Sequence, residues 1–280
     1  MPVACVVACL GDVMLDVIVE PRAPLRVDDD TPARITLSAG GQAANVAAWV
    51  VALGGRARLC GPGVGGGAGH VVAGAMAERG VQMWGSSTGR TGTVLSLLTG
   101  DGRTMASDPG DVSWLDDVRW GPWVEGADWL FVSGYALLRA SAPRHIVEMA
   151  RTAGARGARV AVDLSSAAML SSYGPDDFSR LCRSLHPSVV FATDGEWAAC
   201  GGGFAAGGRT VLVLKHGRDG ASFVIDGVAD DRPVHRGPVV DVTGSGDALA
   251  AGYLVGGVDL AMEAAARCVA HRGAQPQVPA

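Results

Sequence analysis

Near the end of the chain stands the stretch that constrains its fold most, Asp241-Val242-Thr243-Gly244-Ser245-Gly246-Asp247, followed by the small-residue run Ala248-Leu249-Ala250-Ala251-Gly252. Gly244 and Gly246 allow a sharp turn that brings bare backbone amides close to a ligand. The small residues after the turn predict a tightly packed helix, and the unpaired amides at a helix N-terminus favour an anion. With Val239-Val240 as the end of a strand, the sequence predicts a strand, a turn and an anion-binding helix start.

Asp247 lies in this turn, where its carboxylate would repel the anion that the amides attract. The arrangement suits catalysis if the carboxylate takes a proton from a hydroxyl group while the amides hold a phosphoryl group during transfer. It also fits an aspartate that only caps a glycine-rich helix start. The stretch alone does not decide between a catalytic base and a cap.

The composition is that of a globular chain without a nucleic-acid-binding surface. Of its 280 residues, 48% are hydrophobic and 18% are charged, which suits one large α/β domain, alone or with a small appendage. The net charge of −5 comes without the cluster of lysine and arginine that binds nucleic acid. Arginine outnumbers lysine 22 to 1, and the single lysine, Lys215, falls in a glycine-rich stretch, as does the single asparagine, Asn45.

Cysteine and histidine patterns indicate neither disulfides nor a metal site. The six cysteines form no CxxC pair and lie in apolar surroundings, which predicts reduced core residues of a cytoplasmic protein. The six histidines lack the spacing of metal ligands. The first apolar run, Val3–Leu10, is far shorter than the roughly 18 residues of a membrane span. We therefore expect a buried strand there and no membrane association.

From residue 129 onward, strands alternate with helices, which predicts βαβ units and a mostly parallel sheet. The strands predicted there are Trp129–Ser133, Arg159–Leu164, Val189–Ala192 and Thr210–Leu214, and the helices are Ala142–Ala153, Pro175–Leu185, Glu196–Cys200 and Asp259–Val269.

The first third of the chain departs from this alternation. Strands between about 17 and 37, and a hairpin at about 93–107 that turns at Gly100-Asp101-Gly102, suggest a small sheet added to the main one. Helices are predicted at Ala43–Leu53 and Val71–Arg79, the second after a glycine-rich loop, Gly61–Gly69.

Two further sites carry polar groups that could bind a polyol. Asp16 is expected at the end of the first strand, and Gly40-Gly41-Gln42-Ala43-Ala44-Asn45 opens a helix. In an open parallel sheet, ligands bind at the carboxyl ends of the strands, where these sites and the 241–247 stretch would meet. Each has an ordinary alternative, a turn residue for Asp16 and a helix cap for Asn45, but the three together favour a binding site.

With these stretches the sequence resembles the ribokinase-like (PfkB) family of sugar and nucleoside kinases. The GG-x-A-A-N-x-A stretch at 40–47 and the D-x-T-G-x-G-D stretch at 241–247 carry the resemblance, which covers nearly the whole chain. It implies a three-layer α/β/α fold with a mostly parallel central sheet and a small β-sheet lid. We expect residues 1–280 to form one such domain, with the strands at 17–37 and 93–107 in the lid.

The resemblance also implies roles for particular residues. They are Asp247 as catalytic base; Gly244, Ser245 and Gly246 as anion hole; Asp16, Gly40, Gly41 and Asn45 as sugar contacts; Thr193, Lys215, Gly217 and Gly220 as nucleotide contacts; Glu196 as the Mg²⁺ contact; and Asp241, Thr243 and the carbonyls near Gly273 as a site for a monovalent cation such as K⁺.

The sequence departs from the family pattern in two motifs. The N-x-x-E motif linked to Mg²⁺ reads Thr193-Asp194-Gly195-Glu196, so its asparagine is a threonine. Glycines replace the acidic residues of a family turn within 61–70. We expect Mg²⁺ binding to be weakened rather than lost, unless Asp194 replaces the missing amide.

The function that the resemblance implies is transfer of the γ-phosphate of ATP to a hydroxyl of a small sugar, such as ribose, a ketohexose or a sugar acid. A nucleoside kinase of the same family and a sugar- or nucleotide-binding protein without turnover are the alternatives. A nicotinamide-dependent oxidoreductase is disfavoured, because Pro62 interrupts the glycine-rich loop and no acidic residue ends the next strand. The exposed lid edges of this family often pair in dimers, so a homodimer through the lid is the assembly that the resemblance implies, while the sequence itself does not reveal the oligomeric state.

Overall fold

The computed structural model describes residues 4–85, 89–99, 102–116, 118–141, 143–202 and 210–277, and their strands form two sheets. The strands are β1 (Val6–Leu10), β2 (Met14–Pro21), β3 (Ala33–Gly40), β4 (Arg56–Cys60), β5 (Gln82–Trp84), β6 (Gly92–Thr99), β7 (Gly102–Asp108), β8 (Trp129–Ser133), β9 (Arg159–Asp163), β10 (Val189–Thr193), β11 (Val211–Lys215), β12 (Ala221–Ile225) and β13 (Val228–Arg232). The helices are α1 (Gln42–Ala52), α2 (Gly66–Glu78), α3 (Gly134–Arg139), α4 (Arg144–Ala155), α5 (Ala167–Tyr173), α6 (Pro175–Ser184), α7 (Asp194–Ala199), α8 (Ser245–Gly256) and α9 (Val258–Val269).

The large sheet has the strand order β13-β12-β11-β10-β9-β8-β1-β4-β5. Neighbouring strands from β5 to β11 pair in parallel, whereas β11, β12 and β13 form antiparallel pairs at one edge. Parallel neighbours require crossover connections, usually helices: α1 and α2 lie in those that lead to β4 and β5, and the alternation after residue 129 supplies others. The predicted mostly parallel central sheet is confirmed.

Helices cover both faces of the large sheet, because alternate residues of each strand point to opposite sides. In β1, Val7 and Cys9 pack in one core with α1, α2, α8 and α9, while Ala8 and Leu10 pack in the other with α3 to α6. The whole of β1 is buried. The predicted three-layer α/β/α architecture is confirmed, and its middle layer sets the floor of the site.

The smaller sheet, here called the lid, has the order β3-β2-β6-β7 among the described residues. β2 pairs antiparallel with β3 and parallel with β6, and β6 and β7 form the predicted hairpin. Part of its predicted turn, Gly100-Asp101, lies outside the described residues, as does Val3 of the first predicted strand. One face of the lid lines a cleft above the large sheet. The other face packs into the core at Leu15 and Ala39 and is exposed at Ile35, Leu37 and Leu95.

Two expectations about strand ends are wrong. Asp16 lies inside lid strand β2 rather than at the end of the first strand of the large sheet. Val239 and Val240 are not in a strand: they follow Pro238, which has no amide hydrogen to give to a sheet, and the Val240 amide donates to the carbonyl of Val269 at 2.7 Å. Both valines are exposed and line the cleft under the lid.

The helical content of two regions also differs from expectation. The predicted loop Gly61–Gly69 is helical from Gly66, where α2 begins. Gly69 is required by close packing, since a Cβ on it would lie 2.0 Å from the carbonyl oxygen of Val64. The short helices α3 and α5, of six and seven residues, were not predicted.

Candidate active site

The turn predicted before α8 is present. Gly244 adopts a left-handed conformation, with φ of +76°, directly before the first helical residue, and a Cβ on it would lie 2.5 Å from that of Ala274. Ser245 donates its amide at 3.3 Å to the carbonyl three residues earlier. The amides of Gly246 and Asp247 belong to the first turn of the helix, where no carbonyl precedes them within it. These amides are the donors that the turn offers to an anion.

Asp247 and Asn45 lie against each other where α8 packs on α1. The side-chain amide of Asn45 donates to Oδ2 of Asp247 at 2.8 Å. Asn45 is buried within α1, whose N-cap is Gly41, so Asn45 is not the helix cap that was one of its alternatives. Its Oδ1 is buried and has no hydrogen-bond partner among the described residues.

The surroundings of Asp247 favour its protonated form. Burial raises the pKa of Asp247 to about 8, with a further increase from the nearby Asp163, while the hydrogen bond from Asn45 and the charge of Lys215 act in the opposite direction. A carboxyl group with a pKa near neutrality can exchange a proton with a hydroxyl group at ordinary pH.

Gly40 and Gly41 each lie against a neighbouring aspartate. A Cβ on Gly40 would lie 2.3 Å from Oδ2 of Asp16, so the Asp16 carboxylate of the lid rests directly on this backbone. Gly41 has φ of +94°, and its Cβ would lie 2.5 Å from the carbonyl oxygen of Asp12. The glycine pair therefore joins the lid to the floor of the cleft.

Asp12 belongs to the site although the sequence did not single it out. Its Oδ2 accepts the amide of Gln42 at the start of α1, and its Oδ1 accepts the hydroxyl of Ser133 at 3.2 Å. Asp12 also lines the cleft. Its position just after β1 in a Gly-Asp pair is the signal that could have identified it.

The cleft between the lid and the large domain has a volume of about 1050 Å³. Five predicted site residues line it: Asp16, Gly41, Asp241, Thr243 and Gly273. Tyr135 and Arg139 of α3, neither of them predicted, line it as well, with the Arg139 guanidinium 4.8 Å from the centre of the Tyr135 ring.

Lys215 meets a buried carboxylate that sequence reasoning missed. Its Nζ lies 2.8 Å from Oδ2 of Asp163, and the two side chains are 13% and 1% exposed. Burial alone would lower the pKa of Lys215, but the charges of Asp163 and Glu196 outweigh it and raise this pKa. Asp163 is the last residue of β9, so it sits at the carboxyl end of a parallel strand, where a search for ligand-binding positions could have found it.

Thr193 and Glu196 form a capping box at the start of α7. The Thr193 hydroxyl accepts the amide of Glu196 at 3.2 Å, and a Glu196 carboxylate oxygen accepts the amide of Thr193 at 2.8 Å. The pKa of Glu196 is raised, mainly by burial and partly by Asp163, against the opposing charge of Lys215. The threonine therefore retains a structural role in the motif.

Asp194 faces a different group. Both of its carboxylate oxygens lie 2.9 Å from Nδ1 of His216, whose Nε2 is 2.8 Å from the hydroxyl of Ser222. Gly217 and Gly220 lie in the turn beyond His216, between β11 and β12, and a Cβ on Gly220 would lie 2.0 Å from the carbonyl oxygen of Arg232. These residues form one edge of the site, apart from the Asp163–Lys215 pair.

Asp241, Thr243 and Gly273 lie together, as predicted. Oδ1 of Asp241 accepts the amide and the hydroxyl of Thr243, and its Oδ2 accepts the amide of Gly273 at 3.0 Å. The next residue of this segment, Ala274, accepts a hydrogen bond from the indole of buried Trp49 at 2.9 Å. Asp241 thus fastens the turn before α8 to the C-terminal segment.

The pfkB family carbohydrate kinase model matches residues 6–275, and the chain belongs to this family. It is therefore a kinase. No curated protein sequence matches it. Within the described residues, no helix has both the length and the apolar character needed to cross a bilayer.

Solved structures share the fold. A probable sugar kinase from Rhizobium etli superposes with a TM-score of 0.83 at 23% identity, covering 99% of this chain and 96% of that one. An adenosine kinase from Sinorhizobium meliloti gives 0.81 at 23% identity, with coverages of 99% and 97%. A fructokinase from Xylella fastidiosa with bound ATP gives 0.78 at 22% identity, with coverages of 97% and 95%. The ribokinase-like fold is confirmed, while these kinases are named for different acceptors.

Proposed function

We propose that this kinase transfers the γ-phosphate of ATP to a hydroxyl group of a small sugar, with Asp247 as the general base. The observation that carries the proposal is the position of Asp247. Its carboxylate lies in the first turn of α8, among amides that favour an anion, and Asn45 binds it at 2.8 Å. A base beside an anion site suits in-line attack on phosphorus.

In this mechanism, Asp247 accepts the proton of the acceptor hydroxyl as that oxygen attacks the γ-phosphorus. The turn formed by Gly244, Ser245 and Gly246 binds the charge on the phosphoryl oxygens through the amides of Gly246 and Asp247, and the bond from the γ-phosphorus to ADP breaks. Asn45 orients the carboxylate through its hydrogen bond. The lid excludes water from the cleft and limits hydrolysis of ATP.

The acceptor binds along Asp16, Gly40, Gly41 and Asn45 in this proposal. The carboxylate of Asp16 accepts sugar hydroxyls, and the glycine pair lets the sugar approach the backbone. The buried Oδ1 of Asn45, which lacks a partner among the described residues, is a further acceptor next to the base.

Among the sugars considered, a sugar acid fits the cleft best. The half-buried guanidinium of Arg139 lines the cleft and forms no ion pair with any carboxylate of the described residues. Its neighbour is the ring of Tyr135, so the partly buried cation lacks an opposite charge, and a carboxylate on the substrate would supply one. A nucleoside is less well supported, because Tyr135 is the one aromatic side chain lining the cleft in the described part of the chain.

We assign the nucleotide to the end of β11 and the turn that follows, with Thr193, Lys215, Gly217 and Gly220 as contacts and Glu196 as the Mg²⁺ contact. Within the described residues, no three His, Cys, Asp or Glu side chains form a ready metal site. Mg²⁺ commonly uses one or two carboxylates with substrate phosphates and water, so the buried Glu196 carboxylate fits. When bound, Mg²⁺ neutralises phosphate charge.

A monovalent cation such as K⁺ stays a prediction for Asp241, Thr243 and the carbonyls near Gly273. Both carboxylate oxygens of Asp241 already accept hydrogen bonds from the chain, which hold the turn in place. Carbonyl and carboxylate oxygens are the ligand type that hard cations bind, so the residue types here are compatible with the ion. Comparing rates in potassium and choline chloride at equal ionic strength tests this assignment.

We further propose that the protein is a cytoplasmic homodimer joined through the outer face of the lid. Ile35, Leu37 and Leu95 on that face are 62%, 51% and 41% exposed, and Val17 lies between Leu37 and Leu95 in register. An apolar sheet face of this kind is typical of an interaction surface. Sedimentation of the protein and of an Ile35→Lys variant tests the assembly.

A coupled assay of ADP release over pentoses, hexoses, sugar acids and nucleosides tests the function. We expect turnover with a sugar acid that falls by more than about tenfold in Arg139→Gln, while a neutral analogue is affected less. Arg144→Gln, on the exposed start of α4, is the matched control. Release of ADP with nucleosides alone would overturn the sugar assignment. ATP binding without turnover on any acceptor would indicate a binding protein.

A further inference from the structure

The ion pair between Lys215 and Asp163 is an unusual feature for a core. Asp163 is buried at the end of β9, and Lys215 at the end of β11 reaches it across β10. Transfer of two charges from water costs free energy that their attraction rarely exceeds, so apolar residues would serve the packing at least as well. The pair therefore points to a use for the charge itself.

The ammonium group lies against the turn assigned to the anion. A Cβ on Gly246 would come within 3.3 Å of Cδ and 3.4 Å of Nζ of Lys215. Glycine at this position thus leaves room for the lysine beneath the first turn of α8. The cation and the amides of that turn border the same space.

The groups around Lys215 are acidic, and its ammonium is the positive charge among them that an incoming phosphate would bind. Asp163, Glu196 and Asp247 all interact electrostatically with Lys215. This acidic surrounding would repel a phosphoryl group unless a fixed positive charge faced it. An ammonium group has three donors, and Asp163 accepts one of them, so two remain for other partners.

We infer that the ammonium of Lys215 binds the phosphoryl group during its transfer, and that Asp163 is the positioning residue that holds it. This inference rests on the proposed function, but goes beyond a contact to the nucleotide loop. The acceptor oxygen bonds to the γ-phosphorus, the bond from phosphorus to the bridging oxygen breaks, and ADP leaves with the electron pair. Asp247 takes the acceptor proton, and Lys215 stays protonated throughout.

The alternative is that Lys215 only ties β9 to β11. Nuclear magnetic resonance separates the two, because this sequence contains a single lysine. Lysine labelled with ¹³C at Cε, incorporated into protein with a lysine-free tag, gives one resonance. We expect β,γ-methylene-ATP to shift this resonance clearly more than ADP does, since only the former carries a γ-phosphate. Equal shifts with both nucleotides, with binding verified by calorimetry, would overturn the inference.

Kinetics supply the second measurement. Lys215→Met should lower kcat by about 10²-fold or more with little change in the KM for the acceptor, and Lys215→Arg should recover part of the rate. Asp163→Asn should lower kcat by less and move the labelled resonance in the free protein. Arg144→Met, at the exposed start of α4 and outside the site, is the matched control and should leave kcat unchanged.

The outcomes distinguish this inference from the proposed function. Wild-type turnover retained within threefold in a folded Lys215→Met variant would disprove the role of Lys215 and leave the kinase assignment standing. A γ-phosphate-dependent shift in a protein that phosphorylates no acceptor would support the lysine contact and overturn the acceptor assignment. Asp247→Asn should abolish turnover and keep the shift, which separates the base from the cation.

Discussion

The floor, here the buried polar residues of the large domain that do not line the cleft, and the lid above the cleft are built differently. On this floor, the side chains of Asn45, Asp163 and Lys215 are buried or nearly so, and hydrogen bonds of 2.8 Å link them to one another or to Asp247. On the lid, Arg34 and Thr36 are exposed, and Arg272 reaches across the cleft to form an ion pair with Glu20 of β2. The floor is suited to hold reacting groups in fixed positions, and the lid is suited to move and select the acceptor.

The largest effect should come from the floor. Asp247→Asn should lower kcat by about 10²–10⁴-fold, because an amide cannot accept the proton of the acceptor hydroxyl. The ¹H–¹⁵N spectrum should show an intact fold, and the ADP-release assay measures the loss. A variant that keeps more than about a tenth of the wild-type rate would show that Asp247 is not the base.

The same variant should change the pH dependence of stability. In the folded wild type the pKa of Asp247 is raised to about 8, so the folded state holds a proton that the unfolded state has lost. This contribution to stability is full below the unfolded pKa and declines as pH rises from about 4 to about 8. We therefore expect the pH to change the difference in Tm between Asp247→Asn and wild type. This difference should favour the variant more at pH 8 than at pH 5.

A second prediction concerns the bond that orients the base. The hydrogen bond from Asn45 stabilises the carboxylate form of Asp247, so Asn45→Ala should raise the pKa of Asp247 further. We expect kcat/KM for the acceptor to rise with pH toward about 8 in wild type, and the midpoint to move upward in the variant. The acceptor should also bind more weakly, while calorimetry shows unchanged nucleotide affinity. An unmoved midpoint would contradict the coupling.

Substitutions that affect the lid should change the kinetic constants less than those in the floor. Arg272→Gln removes the ion pair with Glu20, and exposed pairs contribute roughly 0–1 kcal/mol, so the KM for the acceptor should rise by no more than about fivefold. Glu20→Gln should have the same effect, and the double variant should be no worse than either single one. If the increases in KM were additive in the double variant, the two residues would act separately rather than through their ion pair.

The comparison also explains what the sequence could predict. The alternation after residue 129 and the glycine motifs at 40–45 and 241–247 predicted the layers, the sheet and the anion turn, because they depend on local periodicity and local backbone conformation. The partners of these motifs were not predictable. Asp163 and Lys215 are 52 residues apart, and Asn45 and Asp247 are 202 apart, so only the fold brings them together.

The wrong expectations for Asp16 and for Val239 and Val240 have the same cause, because local sequence does not show which layer of the fold a segment joins. Asp16 was expected at the end of a core strand, but the chain turns after Asp12, and the alternating residues that follow form a lid strand. A polar lid strand and a core strand end have similar local sequences. The valines at 239 and 240 were expected in a strand because of their β-branched side chains, and the structure places them under the lid instead.

The smallest expected effect lies at the edge of the floor, in the capping box of α7. Thr193, which replaces the family asparagine, is the N-cap of α7 and accepts the amide of Glu196. Because asparagine is an equally good N-cap, Thr193→Asn should leave the free energy of unfolding unchanged. The longer amide can donate as well as accept, and we expect it to lower the Mg²⁺ concentration for half-maximal rate about two- to threefold, the equivalent of a weak hydrogen bond. Glu196→Gln should raise that concentration.

Asp194→Ala should have little effect, because both Asp194 oxygens face His216. A magnesium titration in which only Asp194→Ala reduces the rate would show that Asp194, and not Thr193, has replaced the asparagine.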